Sequence, residues 1–168
     1  MGILWATSVI VTRNEYMEGK MSTARKGAVK IRPMVRSDID PVLAMWWSSF
    51  IANREMVASQ LGGLRDLSLI AEVEGHLAGF VLARVEYLGI PIKEVCSVQA
   101  IAVQPEYRQQ GVGSLLMRTL KSNCRSKKTS TLRVVVDKSD NQLLGYFQRL
   151  GFHQSDVINL EQDSSSEA

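Results

Sequence analysis

The stretch "AVQPEYRQQGVGSLLMRTL", Ala102 to Leu120, constrains this chain more than any other. An apolar run ends at Val103, Pro105 and a polar loop follow, and Gly111 and Gly113 open an amphipathic segment of helical period. Glycine at a helix start costs stability relative to alanine. Two of them there point to a loop whose backbone must approach something closely. The first turn of a helix leaves backbone N–H groups without intrahelical partners and carries about half a positive charge. With no Cβ in the way, such groups can cradle a phosphate. Arg108-Gln109-Gln110-Gly111-Val112-Gly113 supplies a nest of this kind, Arg108 adds charge, and Ser114 places a hydroxyl in the same turn. Two other phosphate loops do not fit. The nucleoside-triphosphate loop needs Gly-Lys-Ser/Thr, whereas Gly113 is followed by Ser114-Leu115, and the dinucleotide fingerprint needs a third glycine where this chain has Leu116.

The pattern on either side predicts a sheet with helices. Ala28 to Arg32 reads as a short strand ended by Pro33. A helix follows, with Asp38 or Asp40 as N-cap, Pro41 in the first turn, and Val42, Met45, Trp46, Phe50 and Ile51 at helical spacing. It continues, bent or broken, towards Gly62-Gly63. Next, "LSLIAEVEGHLAGFVLARVEYL" gives two β-rich runs around Glu74-Gly75-His76, an antiparallel hairpin. Glu94 to Val103 is a strand, and a helix runs from Gln110 or Gly111 to about Arg125. Leu115, Leu116, Thr119 and Leu120 face inwards on it, Arg118, Lys121 and Arg125 outwards. "LRVVVD" has the continuous apolar character of a strand buried on both faces. Asp140 caps a short helix, "NQLLGYFQRLGF", that Gly151 ends as a C′ glycine, and His153 to Leu160 is a last strand. The order β-α-β-β-β-α-β-α-β is an α/β (α+β) sheet protein of mixed strand direction.

At 168 residues the chain reads as a single domain over residues 28–160, with residues 1–27 an N-terminal appendage and 161–168 a polar tail. Ile3 to Val11 is apolar, but no basic segment precedes it and no small-residue cleavage site follows, so it does not read as a secretory signal. No run reaches the length of a membrane span. A net charge of +3 suits an anionic ligand and is too weak to argue for nucleic acid. Cys96 and Cys124 have neither metal nor redox spacing and read as reduced, which points to the cytoplasm and to no metal.

"IAVQPEYRQQGVGSLLM", Ile101 to Met117, resembles the acetyl-CoA-binding motif of the GNAT superfamily of N-acetyltransferases. "VVVDKSDNQLLGYFQRLGF", Val134 to Phe152, is similar to the same superfamily's strand-helix-"LGF" motif. The resemblance implies a single-domain GNAT fold, a mixed, mostly antiparallel sheet with a splayed strand pair flanked by helices. It implies that the N–H groups of Arg108, Gln109, Gln110, Gly111, Val112, Gly113 and Ser114 hold the coenzyme pyrophosphate. Ile101, Ala102 and Val103 would pair with the pantetheine arm, and the N–H of Val103 would receive the oxyanion as an amine attacks the thioester directly.

The catalytic acid and base are less plain. The family often places a tyrosine four residues before the glycine of its second motif. Here that position is Phe147, which can pack on the coenzyme, and Tyr146 is its neighbour, turned by about 100° on a helix. Tyr146 is the candidate acid. Asp140 stands where the family often has asparagine, as a coenzyme contact. Glu94 is the candidate base, against its reading as a solvated strand end; His76 and His153 read as exposed residues, and a water chain is the other route for the proton. Trp46, Trp47 and Phe50 lie on the helix that walls the acceptor site in this family, or pack in the core. The function implied is acetyl transfer from acetyl-CoA to a primary amine, on a small molecule or a protein, by a monomer or homodimer. The alternative is a non-catalytic coenzyme A-binding sensor or partner module.

Overall fold

The computed structural model describes residues 27–46, 66–158, 160 and 162. Glu74 and Gly75 take left-handed backbone, with φ of 52° and 78°. That is what a two-residue hairpin turn with the right-handed twist of its strands demands. The turn folds β2 (Leu69–Val73) back on β3 (His76–Leu88), so His76 is the first strand residue and not part of the turn. β1 (Val29–Pro33) and β4 (Lys93–Val103) complete four antiparallel strands, and β5 (Leu132–Val134) adds a parallel one, in the order β1-β2-β3-β4-β5. Pro33 closes β1 as its last residue, tolerated because β1 lies at the sheet edge. The helices are α1 (Ile39–Trp46), α2 (Val112–Ser126) and α3 (Asn141–Arg149). Among the described residues no helix is long and apolar enough to cross a membrane.

Two cores sandwich the sheet, and a bulge decides which side chains enter each. Ala100 lies opposite Leu82 and Val98 opposite Ala83, so Gln99 is an extra residue in β4. A one-residue slip sends the following side chains to the other face. Cys96, Val98 and Ile101 accordingly share the core built with Leu116, Leu120, Leu143 and Phe147 of α2 and α3. Ala100 and Ala102 join Ile39, Val42, Phe80 and Leu82 in the core under α1.

Several expectations are corrected. The buried stripe of α2 is Val112, Leu116, Met117, Leu120 and Cys124; Leu115 and Thr119 flank it, half-buried. β5 has three half-buried residues and is not covered on both faces. His153 to Leu160 forms no strand in its described residues, and Val157, Ile158 and Leu160 are exposed. β5 offers an edge too short to seat them. Asp38 does not cap α1 in the forward direction. Its carboxylate accepts the Val35 N–H at 2.8 Å and forks onto Arg32 with two bonds of 2.7 Å, while Arg32 also bonds Glu72. The appendage over residues 1–26, most of the tail, Trp47, Phe50, Ile51, Gly62-Gly63 and the side chain of Trp46 lie outside the described residues.

Candidate active site

β4 and β5 pair only from Cys96–Val98 to Leu132–Val134. Cys96 donates its N–H across to Thr131 at 2.8 Å. From Gln99 onwards, the edge of β4 that faces away from β3 has no strand beside it among the described residues, and a cleft opens there. The N–H of Gln104 donates to the carbonyl of Ala78 on the β3 side at 2.9 Å. Backbone groups alternate along a strand, so those of Val103 and Ile101 point into the cleft. The Val103 carbonyl already accepts the Arg108 Nε–H at 3.0 Å, which pins the start of the loop to the end of the strand.

The loop then turns through two left-handed residues, Gln109 at φ 58° and Gly111 at φ 81°. Buried Tyr107 anchors it from below. α2 begins without a side-chain cap, its first bond being Leu115 N–H to Gly111 O at 2.9 Å. α3 is the opposite case: Asp140 accepts the N–H of Leu143 at 2.9 Å. The N–H groups of the first turn of α2 are therefore left for a ligand in a way those of α3 are not. At Gly111 a Cβ would meet nothing within 4 Å, so the space beside this backbone is open.

Gly113 is glycine for a different reason than Gly111. A Cβ there would stand 2.8 Å from the hydroxyl of Tyr146. The cause lies at the far end of α3. Gly151, at φ 87°, donates to Gln148 O at 2.9 Å, and Phe152 donates to Phe147 O at 3.0 Å. This is the paired bonding of a Schellman cap, completed by an edge-to-face contact of Phe147 with Phe152 at 5.2 Å. The "LGF" signature is thus a helix stop that locks Phe147 into the core at 3% exposure. Tyr146, one residue earlier, is swung out of that core stripe and laid over the first turn of α2. Its hydroxyl is buried and has no hydrogen-bond partner among the described residues, and burial pushes its pKa up to about 12.

A family model described as the acetyltransferase (GNAT) family matches residues 39–152. The chain belongs to this family. It is an N-acetyltransferase, and the family implies acetyl-CoA as donor. Its fold is similar to that of an aminoglycoside 6'-N-acetyltransferase from Acinetobacter baumannii, with 17% identity over 81% of this chain and 99% of the other and a TM-score of 0.71. An aminoglycoside N-acetyltransferase in complex with CoA gives 18%, 83% and 97%, and a TM-score of 0.71. The ribosomal-protein-S18-alanine N-acetyltransferase from Escherichia coli gives 22%, 76% and 79%, and a TM-score of 0.65.

In this acetyltransferase the loop, the open edge of β4 and Tyr146 meet at one place; the remaining sequence candidates stand elsewhere. Glu94 is exposed at the far end of β4, accepts the Thr129 hydroxyl at 3.0 Å, and is about 30 Å of extended strand from Val103. Asp140 is occupied as the cap of α3, and its negative charge does not suit a pyrophosphate. His76 and His153 are exposed. Cys96 and Cys124 are buried against each other; that contact, then burial, pushes the Cys96 thiol up, which removes it as a nucleophile. Sequence reasoning missed Glu86, whose carboxylate accepts from Gln99 Nε2 at 3.3 Å. Their meeting depends on strand register and the bulge, which no local motif signals.

Proposed function

We propose that Arg108 to Ser114 receives the pyrophosphate of acetyl-CoA, that Ile101 and Val103 pair with its pantetheine arm, and that the acetyl group passes to a primary amine on a small molecule or a protein. The observation that carries this is an uncapped helix N-terminus set directly beside the open edge of β4. The residues fit the donor. Gly111 leaves a cradle that a side chain would narrow, and the orphaned Tyr146 hydroxyl supplies a donor with no partner among the described residues.

Acetyl-CoA supplies an activated thioester. The chain's own groups do the rest. Loop N–H groups and Arg108 neutralise the phosphates. With the pyrophosphate at the loop the arm would run back along β4, so Val103, which adjoins the loop, would serve the arm, and the oxyanion role expected of the Val103 N–H would pass to that of Ile101. Donating to the acyl oxygen as its charge grows is the electrostatic part of the rate enhancement. Tyr146, at about 12, stays protonated against a thiol of about 8.5. It would donate a hydrogen bond to the leaving sulfur and keep its own proton, and the proton of the attacking amine would leave through water to solvent, the sulfur departing as thiolate. The buried thiols of Cys96 and Cys124 suit a reducing compartment, and we assign the protein to the cytoplasm.

The test is incubation with acetyl-CoA and a pooled set of primary amines, following free thiol. Amine-dependent release is the expected result. Release that no amine accelerates would remove the acyl-transfer reading and favour a coenzyme A-binding module.

A further inference from the structure

Gln99 is the residue that the bulge inserts into β4, and it stands where the β5 ladder ends and the cleft opens. Its side chain reaches Glu86 on β3. Arg84 and Glu86 alternate with Ala83 and Val85, which face the α2–α3 core, so this polar group lies on the α1 side of the sheet. Because Nε2 must donate to the Glu86 carboxylate at 3.3 Å, the amide oxygen is what remains, and Gln99 Oε1 is buried with no hydrogen-bond partner among the described residues. Glu86 keeps solvent access at 22% side-chain exposure. Its nearest approach to Arg84 Nε is 3.8 Å, too long for a hydrogen bond. Glu86 thus accepts from Gln99 and faces Arg84 as an ion pair, while the neighbouring Gln99 Oε1 has no donor among the described residues. A buried amide oxygen left unpaired costs stability, and a primary ammonium, with three N–H donors and a positive charge, satisfies both groups at once.

We propose that Gln99 Oε1 and Glu86 seat the primary ammonium of the acceptor, which makes cationic primary amines the substrate class. The role in turnover rests on the acetyltransferase reading; the seat itself is testable without it. Both are positioning residues, holding the nitrogen before it loses its proton.

The experiment titrates n-butylammonium chloride into the isotope-labelled full chain. It follows the Gln99 side-chain amide signal by NMR, that signal being identified by its loss in Gln99→Leu. A saturable shift is expected, weakened roughly tenfold or more in Glu86→Gln and absent with tetramethylammonium, which carries the charge and no N–H. With an accepted amine as substrate, Glu86→Gln raises its KM by a similar factor while kcat and the affinity for acetyl-CoA stay near wild type. No saturable shift, equal binding of tetramethylammonium, or unchanged affinity in Glu86→Gln overturns the proposal. A chain that binds butylammonium but not acetyl-CoA would instead count against the acetyltransferase reading alone.

Discussion

Tyr146→Phe is the substitution in which stability and activity should part. In the free protein the Tyr146 hydroxyl is buried without a partner among the described residues, a state that costs about 1–3 kcal/mol. Removing only that oxygen should therefore stabilise the free chain by about 1 kcal/mol, or roughly 2–4 °C in Tm for a chain of this size. The same change deletes a donor to the leaving sulfur and should lower kcat by about a hundredfold. Gly113→Ala checks the geometry. In the wild type its Cβ would meet the hydroxyl at 2.8 Å, an overpacking of about 1–3 kcal/mol that outweighs the gain of about 0.5–1 kcal/mol from alanine in a helix. In the Tyr146→Phe background the nearest ring atom is Cζ at 3.6 Å, an ordinary contact. Alanine should then stabilise. Denaturant unfolding of the four variants measures the coupling. If Tyr146→Phe destabilises by more than about 1 kcal/mol, the hydroxyl has a partner. If Gly113→Ala costs the same in both backgrounds, the two groups do not touch.

Three further outcomes follow from the geometry. Burial holds the Tyr146 phenol at about 12 against about 10 when unfolded. The chain's stability is thus unaffected by this ionisation below about pH 10 and falls as pH rises towards 12; an ultraviolet difference titration against Tyr146→Phe should show one phenol near 12, and one near 10 contradicts it. Arg32 holds the Asp38 carboxyl below the usual carboxylate range, so its stabilisation is present above about pH 4 and lost as pH falls through the folded pKa. Asp38→Asn should cost about 2 kcal/mol at neutral pH and less in acid, read by unfolding at both. Gly79→Ala puts a Cβ 2.7 Å from the backbone oxygen of Ala102, where neither strand can yield, and should destabilise by about 2–3 kcal/mol in the same assay.

What the sequence made legible was local. Glu74-Gly75 signalled the hairpin through left-handed backbone, Asp140 and Gly151 bracketed α3, and Gly111 marked the start of α2, each through chemistry confined to a few residues. What it hid depends on pairing. Nothing around Gln99 resembles a bulge, because an inserted residue exists only relative to the partner strand. The two glycines of the loop look alike in sequence, yet one leaves space for a ligand and the other makes room for a tyrosine thirty-three positions away. The angle of about 100° between Tyr146 and Phe147 was a sound reason to separate their roles, but only the packing of Phe147 on Phe152 shows which of them reaches the site. "LRVVVD" misled because apolar residues beside the cleft look like those of a covered strand, while only Leu132 to Val134 find a ladder.

Calorimetric titration of coenzyme A into the full chain and into Gly111→Glu tests the site most directly. The wild type should bind one coenzyme A per chain. A glutamate at Gly111 fills the open space, strains a backbone at φ 81° and sets a negative charge against the pyrophosphate. Binding should weaken by about a hundredfold or more. Equal affinity in the two proteins would contradict the placement of the donor at the start of α2.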